Sequence, residues 1–230
     1  PIYLLYNNLS KMKQILVLIL MTSLLHSSSS SRCEKVKGKT GLWFKKDGLL
    51  YPCATTTQYY DGNVGACGCG ASSTMFDWQW QTYTAAASHS IFDESSWCGA
   101  GCGICFEITP TGYSPEGAGT TNLKTITVMV TNLCPDEYWC GNPNHFGYTA
   151  HFDLMNKPVG GVIAPLGWDN PEVYFKRVDC PSEHSNNWNS CECKGKTPQY
   201  NGPGTPLSST SHSVNIGICI IVALFIMIFS

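Results

Sequence analysis

The sequence predicts a mainly β domain, a sandwich or a barrel, stapled by disulfides. Short β-branched or aromatic runs, "CFEIT" (105–109), "TITVMVT" (125–131) and "VYFKRV" (173–178), are bounded by Gly, Pro or Asn. Heptads and internal repeats are absent, and the intervening turns are rich in Gly and Pro. Of thirteen cysteines, twelve lie between Cys33 and Cys193, and the last, Cys219, sits in an apolar C-terminal tail. An even dozen reads as a disulfide framework built in an oxidising compartment, with the pairing left open.

In chain order, residues 1–11 precede the first methionine. From Met12 the chain reads "MKQILVLILMTSLLHSSSSS": a lysine, an apolar run and then small residues. That is the outline of a secretory signal, so 1–32 is expected to be upstream sequence plus signal peptide. The dense region, 33–181, is the expected catalytic or binding domain. Within it "QTYTAAASHSIFD" (81–93) is alanine-rich and predicts one short helix. After Pro181 the composition shifts to Ser, Asn, Thr, Pro and Gly, which predicts an unpacked stalk over 182–213, interrupted by Cys191 and Cys193. The tail, "VNIGICIIVALFIMIFS" (214–230), is slightly short for a span and has no basic residue after it. It reads as a GPI-attachment signal or as a retained membrane anchor. The expected protein is therefore secreted or attached to a cell surface.

Several chemistries are disfavoured. A net charge of −2 supplies no basic field for nucleic acid. "CGAGCGIC" contains a CxxC, but no second pair accompanies it and the context is secretory, so neither a zinc ribbon nor a redox pair is expected. A GxSxG nucleophile elbow is absent. No metal or other cofactor is expected.

That leaves carboxylates. Most of the 16 Asp and Glu sit in polar company, but two do not. Asp61 follows Tyr59 and Tyr60 and precedes Gly62. Asp153 lies in "YTAHFDLM" between Phe152 and Leu154. If that stretch is a strand, His151 and Asp153 share one face and Phe152 takes the other. Apolar neighbours favour the neutral carboxyl of Asp153, as a general acid needs, while Asp61, in turn chemistry beside phenols, suits a base. Two carboxyls with environments that push them apart are the working parts of glycoside hydrolysis.

The segments "TTTQYYDGNVGACGCG", "SSWCGAGCGICFEIT", "VTNLCP", "HFGYTAHFDLM" and "VYFKRVDCP" together resemble glycoside hydrolase family 45, in its animal, mollusc-like branch, over about residues 40–181. The resemblance implies a six-stranded double-psi β-barrel with short helices and long disulfide-bonded loops. It also implies endo-cleavage of β-1,4-glucan with inversion, by a monomer whose partner is the polysaccharide. By resemblance Asp61 is the general base and Asp153 the general acid. Asn132 and His151 are support residues, and Thr57, Tyr59, Tyr60 and Tyr148 bind substrate.

Two departures stand out. The loop "CGNPNHFGYTA" before the acid carries no aspartate, which leaves a third assisting carboxylate in doubt. The segment after "YYDG" lacks the stacking tryptophan of the fungal branch. Expansins share the barrel and the "HFD" motif but loosen walls without hydrolysis. A non-hydrolytic wall-binding protein is therefore the competing expectation, and Asp61 is what separates the two.

Overall fold

A computed structural model describes residues 32–208. The expected signal peptide, the hydrophobic tail and Cys219 lie outside the described residues. The strands, in chain order, are β1 (Glu34–Lys35), β2 (Leu42–Lys46), β3 (Leu49–Tyr59), β4 (Gly70–Ala71), β5 (Thr74–Met75), β6 (Thr84–Ala87), β7 (Cys105–Pro110), β8 (Ile126–Leu133), β9 (His151–Met155), β10 (Val173–Val178) and β11 (Leu207–Ser208). Short helices are α1 (Trp78–Gln81), α2 (His89–Phe92), α3 (Glu137–Cys140) and α4 (Ser182–Trp188). No helix among them is long and apolar enough to cross a membrane.

The expected six-stranded barrel is present. Its strands run β3-β10-β7-β8-β6-β9, and β9 pairs with β3 to close the ring. The β3–β9 and β6–β8 pairs are parallel, and the other four are antiparallel. Closure leaves these six strands without a free edge. β2 extends β3 on the outside, with β1 and β11 adding short pairings.

Strand alternation sorts the side chains. Ala54, Phe106, Ile108, Val128, Val130, Phe152, Leu154, Val173 and Phe175 are buried in one core cluster. The rings of Phe106, Phe152 and Phe175 meet pairwise at 5.3–5.8 Å in tilted or edge-on arrangements. Each such aromatic contributes roughly 1.5–3 kcal/mol by leaving water. With Phe152 and Leu154 committed inward, the strand period of two turns His151 and Asp153 outward, as expected.

Two expectations need correction. The alanine run is not one helix: Thr84–Ala87 is strand β6, buried along its whole length, and helix is confined to Gln81, which ends α1, and to His89–Phe92. Pairing with both β8 and β9 in the closed ring overrides helix propensity, and small side chains suit a strand enclosed on both faces. Nor does the described part of the supposed stalk, 182–208, hang free. It begins with α4, whose Trp188 joins the core together with Tyr200. Disulfides Cys69–Cys191 and Cys98–Cys193 tie it to the barrel. Composition misled because the anchoring comes from covalent bonds and a few aromatics. The other bridges are Cys33–Cys53, Cys67–Cys102, Cys105–Cys180 and Cys134–Cys140, so all twelve described cysteines are paired.

Candidate active site

The parallel pairing of β3 and β9 sets Thr55 against His151 and Thr57 against Asp153. Their outward side chains form a continuous chain of hydrogen bonds. Thr57 Oγ1 donates to Asp153 Oδ1 at 2.6 Å and lies 2.9 Å from His151 Nε2. Thr55 Oγ1 lies 2.7 Å from His151 Nδ1 and accepts from Asn144 Nδ2 at 2.8 Å. Asn144 Oδ1 accepts from the Phe146 and Tyr148 N–H groups, which fixes the amide orientation. Direction then propagates. The single Thr57 proton is spent on Asp153, so Thr57 accepts from His151 Nε2–H, and the neutral ring then accepts the Thr55 proton at Nδ1.

Electrostatics agree with this order. Burial pushes the His151 pKa down to about 3, opposed by the nearby Asp136, so the ring is neutral and has one donor and one acceptor nitrogen. Burial pushes the Asp153 carboxyl up to about 6. The Thr57 hydrogen bond pulls it back, while the charges of Asp136 and Asp61 raise it further. The Asp153 carboxyl therefore keeps its proton to higher pH than an ordinary aspartate, chiefly because it is buried.

Asp61 stands in the exposed turn beyond the end of β3. Its Oδ1 accepts the Asn63 N–H at 3.0 Å, and Gly62 supplies the positive φ of 73° that turns the chain. Asn132, on β8, shares a row with Ala86 on β6, and Ala86 faces Asp153 on β9. Asn132 and Asp153 are therefore two strand spacings apart, about 9–10 Å between backbones, across an alanine floor. The Asn132 Oδ1 accepts from Ala66 N–H at 2.7 Å and from Leu133 N–H at 2.9 Å, so it holds the "GAC" turn against the barrel. Gly65 has to be glycine here, since a Cβ would come within 2.7 Å of the Asn132 Cγ and the Thr131 carbonyl.

Tyr59 packs with Trp139 against the small cluster of Ala86, Cys134 and Cys140 that floors the site. Its hydroxyl is enclosed near Asn132 without a close hydrogen bond, and burial raises its pKa. Tyr60 is 41% exposed and free to meet a ligand. Tyr148 departs from expectation. It is buried, its hydroxyl donates to Glu172 Oε2, and the same carboxylate accepts from Thr111 and the Cys33 N–H. The structure therefore brings Asp61, Asp153, His151, Thr57, Tyr59 and Asn132 together, with Tyr60 beside them, and leaves the Tyr148 side chain out.

Sequence reasoning missed Thr55, Asn144, Asp136, Ala86 and Trp139. Strand parity from Thr57 pointed to Thr55, and the alanine run contained Ala86. Asn144 and Trp139 reach the site only through the fold of the 134–148 loop, closed by Cys134–Cys140. Asp136 caps α3 through the Tyr138 and Trp139 N–H groups and supplies a third carboxylate whose charge reaches Asp153, from upstream of the "CGNPNHFGYTA" loop that has no aspartate. Cys134, Cys140 and His151 have ligand atoms within 4.8 Å of one another, but both sulfurs are spent in the disulfide and offer no thiolate to a metal.

Comparison with known proteins supplies the context. Residues 54–190 match the family profile described as EXPB1-like domain 1. The chain is 45% identical over 160 residues to Endoglucanase-5 of Hypocrea jecorina, covering 62% of this chain and 63% of that protein, so it spans less than two thirds of that relative. It is 38% identical over 165 residues to the endoglucanase of Mytilus edulis, covering 61% of this chain and 90% of that one. The solved structure of GH45 endoglucanase EG27II in complex with cellobiose is similar at 39% identity with a TM-score of 0.58, covering 67% of this chain and 98% of that chain.

Proposed function

Because this chain belongs to the glycoside hydrolase family 45 endoglucanases, with their expansin-related barrel, we propose that it is a secreted or surface-anchored endo-β-1,4-glucanase. It acts as a monomer on cellulose or a related β-glucan. Asp153 protonates the glycosidic oxygen as the bond breaks, and Asp61 takes a proton from the water that attacks the opposite face of the sugar. Inversion of this kind requires the two carboxyls on opposite sides of the scissile bond, ~6.5–9.5 Å apart, to admit this water. The neutral His151, held by Thr55 and Asn144, fixes the Thr57 hydroxyl that orients Asp153. Thr57, Tyr59 and Tyr60 line the approach, and Asn132 braces the wall beside the base.

One observation carries the reading. A half-buried carboxyl with its pKa raised to about 6 is hydrogen-bonded into a rigid strand pair, and it feels the charge of a second, exposed carboxyl. Such an arrangement sets up an acid and a base rather than a binding surface alone. The expansin-like alternative needs the barrel without a working Asp61. Viscosity and reducing-end release on carboxymethylcellulose test between them. Rapid viscosity loss with few new ends supports an endo-hydrolase. Folded protein that releases no ends from cellulose, mixed-linkage glucan or mannan supports wall binding without hydrolysis.

A further inference from the structure

A cleft of about 980 Å³, lined by none of the side chains placed at the candidate active site, is left unexplained by cleavage of a neutral glucan. Its walls come from four places: the N-terminal segment (Lys35, Lys37, Lys39), Ser90 of α2, the loop before β9 (Asn142, Thr149) and the 201–203 turn. Every charged residue lining it is a lysine. Charge is segregated in the sequence too: residues 32–46 carry six of the 14 Lys and Arg but only one acid, Glu34. A turn closed by the Lys39 N–H on the Val36 carbonyl, at 3.0 Å, folds this segment onto the cleft. Among the described residues the lysine–carboxylate pairs are Lys176–Glu107 and Lys196–Glu192, so none of the three cleft lysines is ion-paired there.

We propose that this cleft is an accessory site for an acidic polysaccharide, a polyuronate chain whose carboxylates meet Lys35, Lys37 and Lys39. Three lysines lining one cleft complement a chain with a carboxylate on each sugar, whereas an uncharged glucan meets them only through hydroxyl hydrogen bonds. A volume of this size holds several pyranose rings. The catalytic face, with Asp61, Asp136 and Asp153, repels the same polymer. The molecule thus offers separate places to two polysaccharides of different charge. Nucleic acid fits less well, because the cleft lining has no arginine and no aromatic side chain to stack on a base.

The test is affinity electrophoresis of the protein and of its Lys35→Gln/Lys37→Gln/Lys39→Gln variant, in gels holding polygalacturonate, hydroxyethylcellulose, DNA or no polymer. The lysines are exposed, and thermal melting checks that the variant stays folded independently of any activity. Polygalacturonate is expected to retard the wild type at low salt, with about tenfold weaker affinity in the variant. The retardation should fade as salt shortens the screening length. Equal retardation of wild type and variant, no retardation of either, or equal retardation of the wild type by DNA would overturn the proposal. Because the readout is binding, it can fail while the glucanase reading stands, and the reverse also holds.

Discussion

Replacing Asp153 by Asn should stabilise this protein above pH 6 and leave it unchanged below pH 4. In the native state the Asp153 carboxyl titrates near 6, against an ordinary 3.8, chiefly because burial disfavours its charge. Below about pH 4 the group is neutral in both folded and unfolded chains and adds nothing to the pH dependence. As pH rises past 4 the unfolded chain loses this proton first, so stability falls, and the loss is complete once pH passes about 6. A gap of about two units corresponds to ~3 kcal/mol. Asparagine keeps an acceptor for the Thr57 hydroxyl and has no charge to desolvate, so it escapes this loss. The gain corresponds to roughly 6–12 °C in Tm for a domain of this size. Urea unfolding of both proteins at pH 3.5, 5 and 8, with disulfides intact, reads the difference directly. Carboxyls shared by the two proteins cancel. A stability difference that stays constant across the series, or a variant less stable at pH 8 than at pH 3.5 relative to wild type, would mean that burial of the Asp153 charge does not cost the native state stability.

Other perturbations act on neighbouring parts. Thr57→Val removes the hydrogen bond that holds the Asp153 pKa down, so the alkaline limb of the kcat/KM profile should move to higher pH. The same change should cost ~1–3 kcal/mol of stability through the unpaired His151 N–H and Asp153 oxygen. Ala86→Val puts two methyl groups on the floor between Asn132 and Asp153. Overpacking should cost ~1–3 kcal/mol in chemical denaturation and lower kcat together with it. Replacing both Cys134 and Cys140 by Ser opens a short loop worth about 2 kcal/mol and frees the segment carrying Trp139 and Asn144, so kcat should fall more than KM rises. Ending the chain after Pro181 removes two long-range disulfides, each worth ~4–5 kcal/mol in the loop-closure account, and should prevent recovery of folded protein.

What could be read from the sequence was whatever lay within a few residues or followed strand parity. "HFDLM" contains both the inward Phe152 and Leu154 and the outward His151 and Asp153, and the structure keeps that division. The raised pKa of Asp153 followed from the same five residues, since its immediate neighbours are apolar. Thr57 reached the site by resemblance and Thr55 by none, although both sit on the face of β3 turned toward β9. Asn144 could not be found this way. Its place beside Thr55 depends on a loop shaped by a disulfide and by backbone N–H groups that clamp its own oxygen. "TAAA" misled because helix propensity is a local quantity, whereas enclosure between β8 and β9 is set by the closed ring. The segment after Pro181 misled for a related reason: its composition is that of a stalk, and two cysteines outweigh it.

The most direct test of an acid and a base acting from opposite faces is proton NMR of the freshly released anomer from a soluble β-1,4-glucan. It should be run with wild type, Asp61→Asn and Asp153→Asn side by side. Wild type should release the α-anomer first, Asp153→Asn should release none, and Asp61→Asn should be strongly slowed. Release of the β-anomer first, or undiminished cleavage by either variant, would contradict this pairing of acid and base.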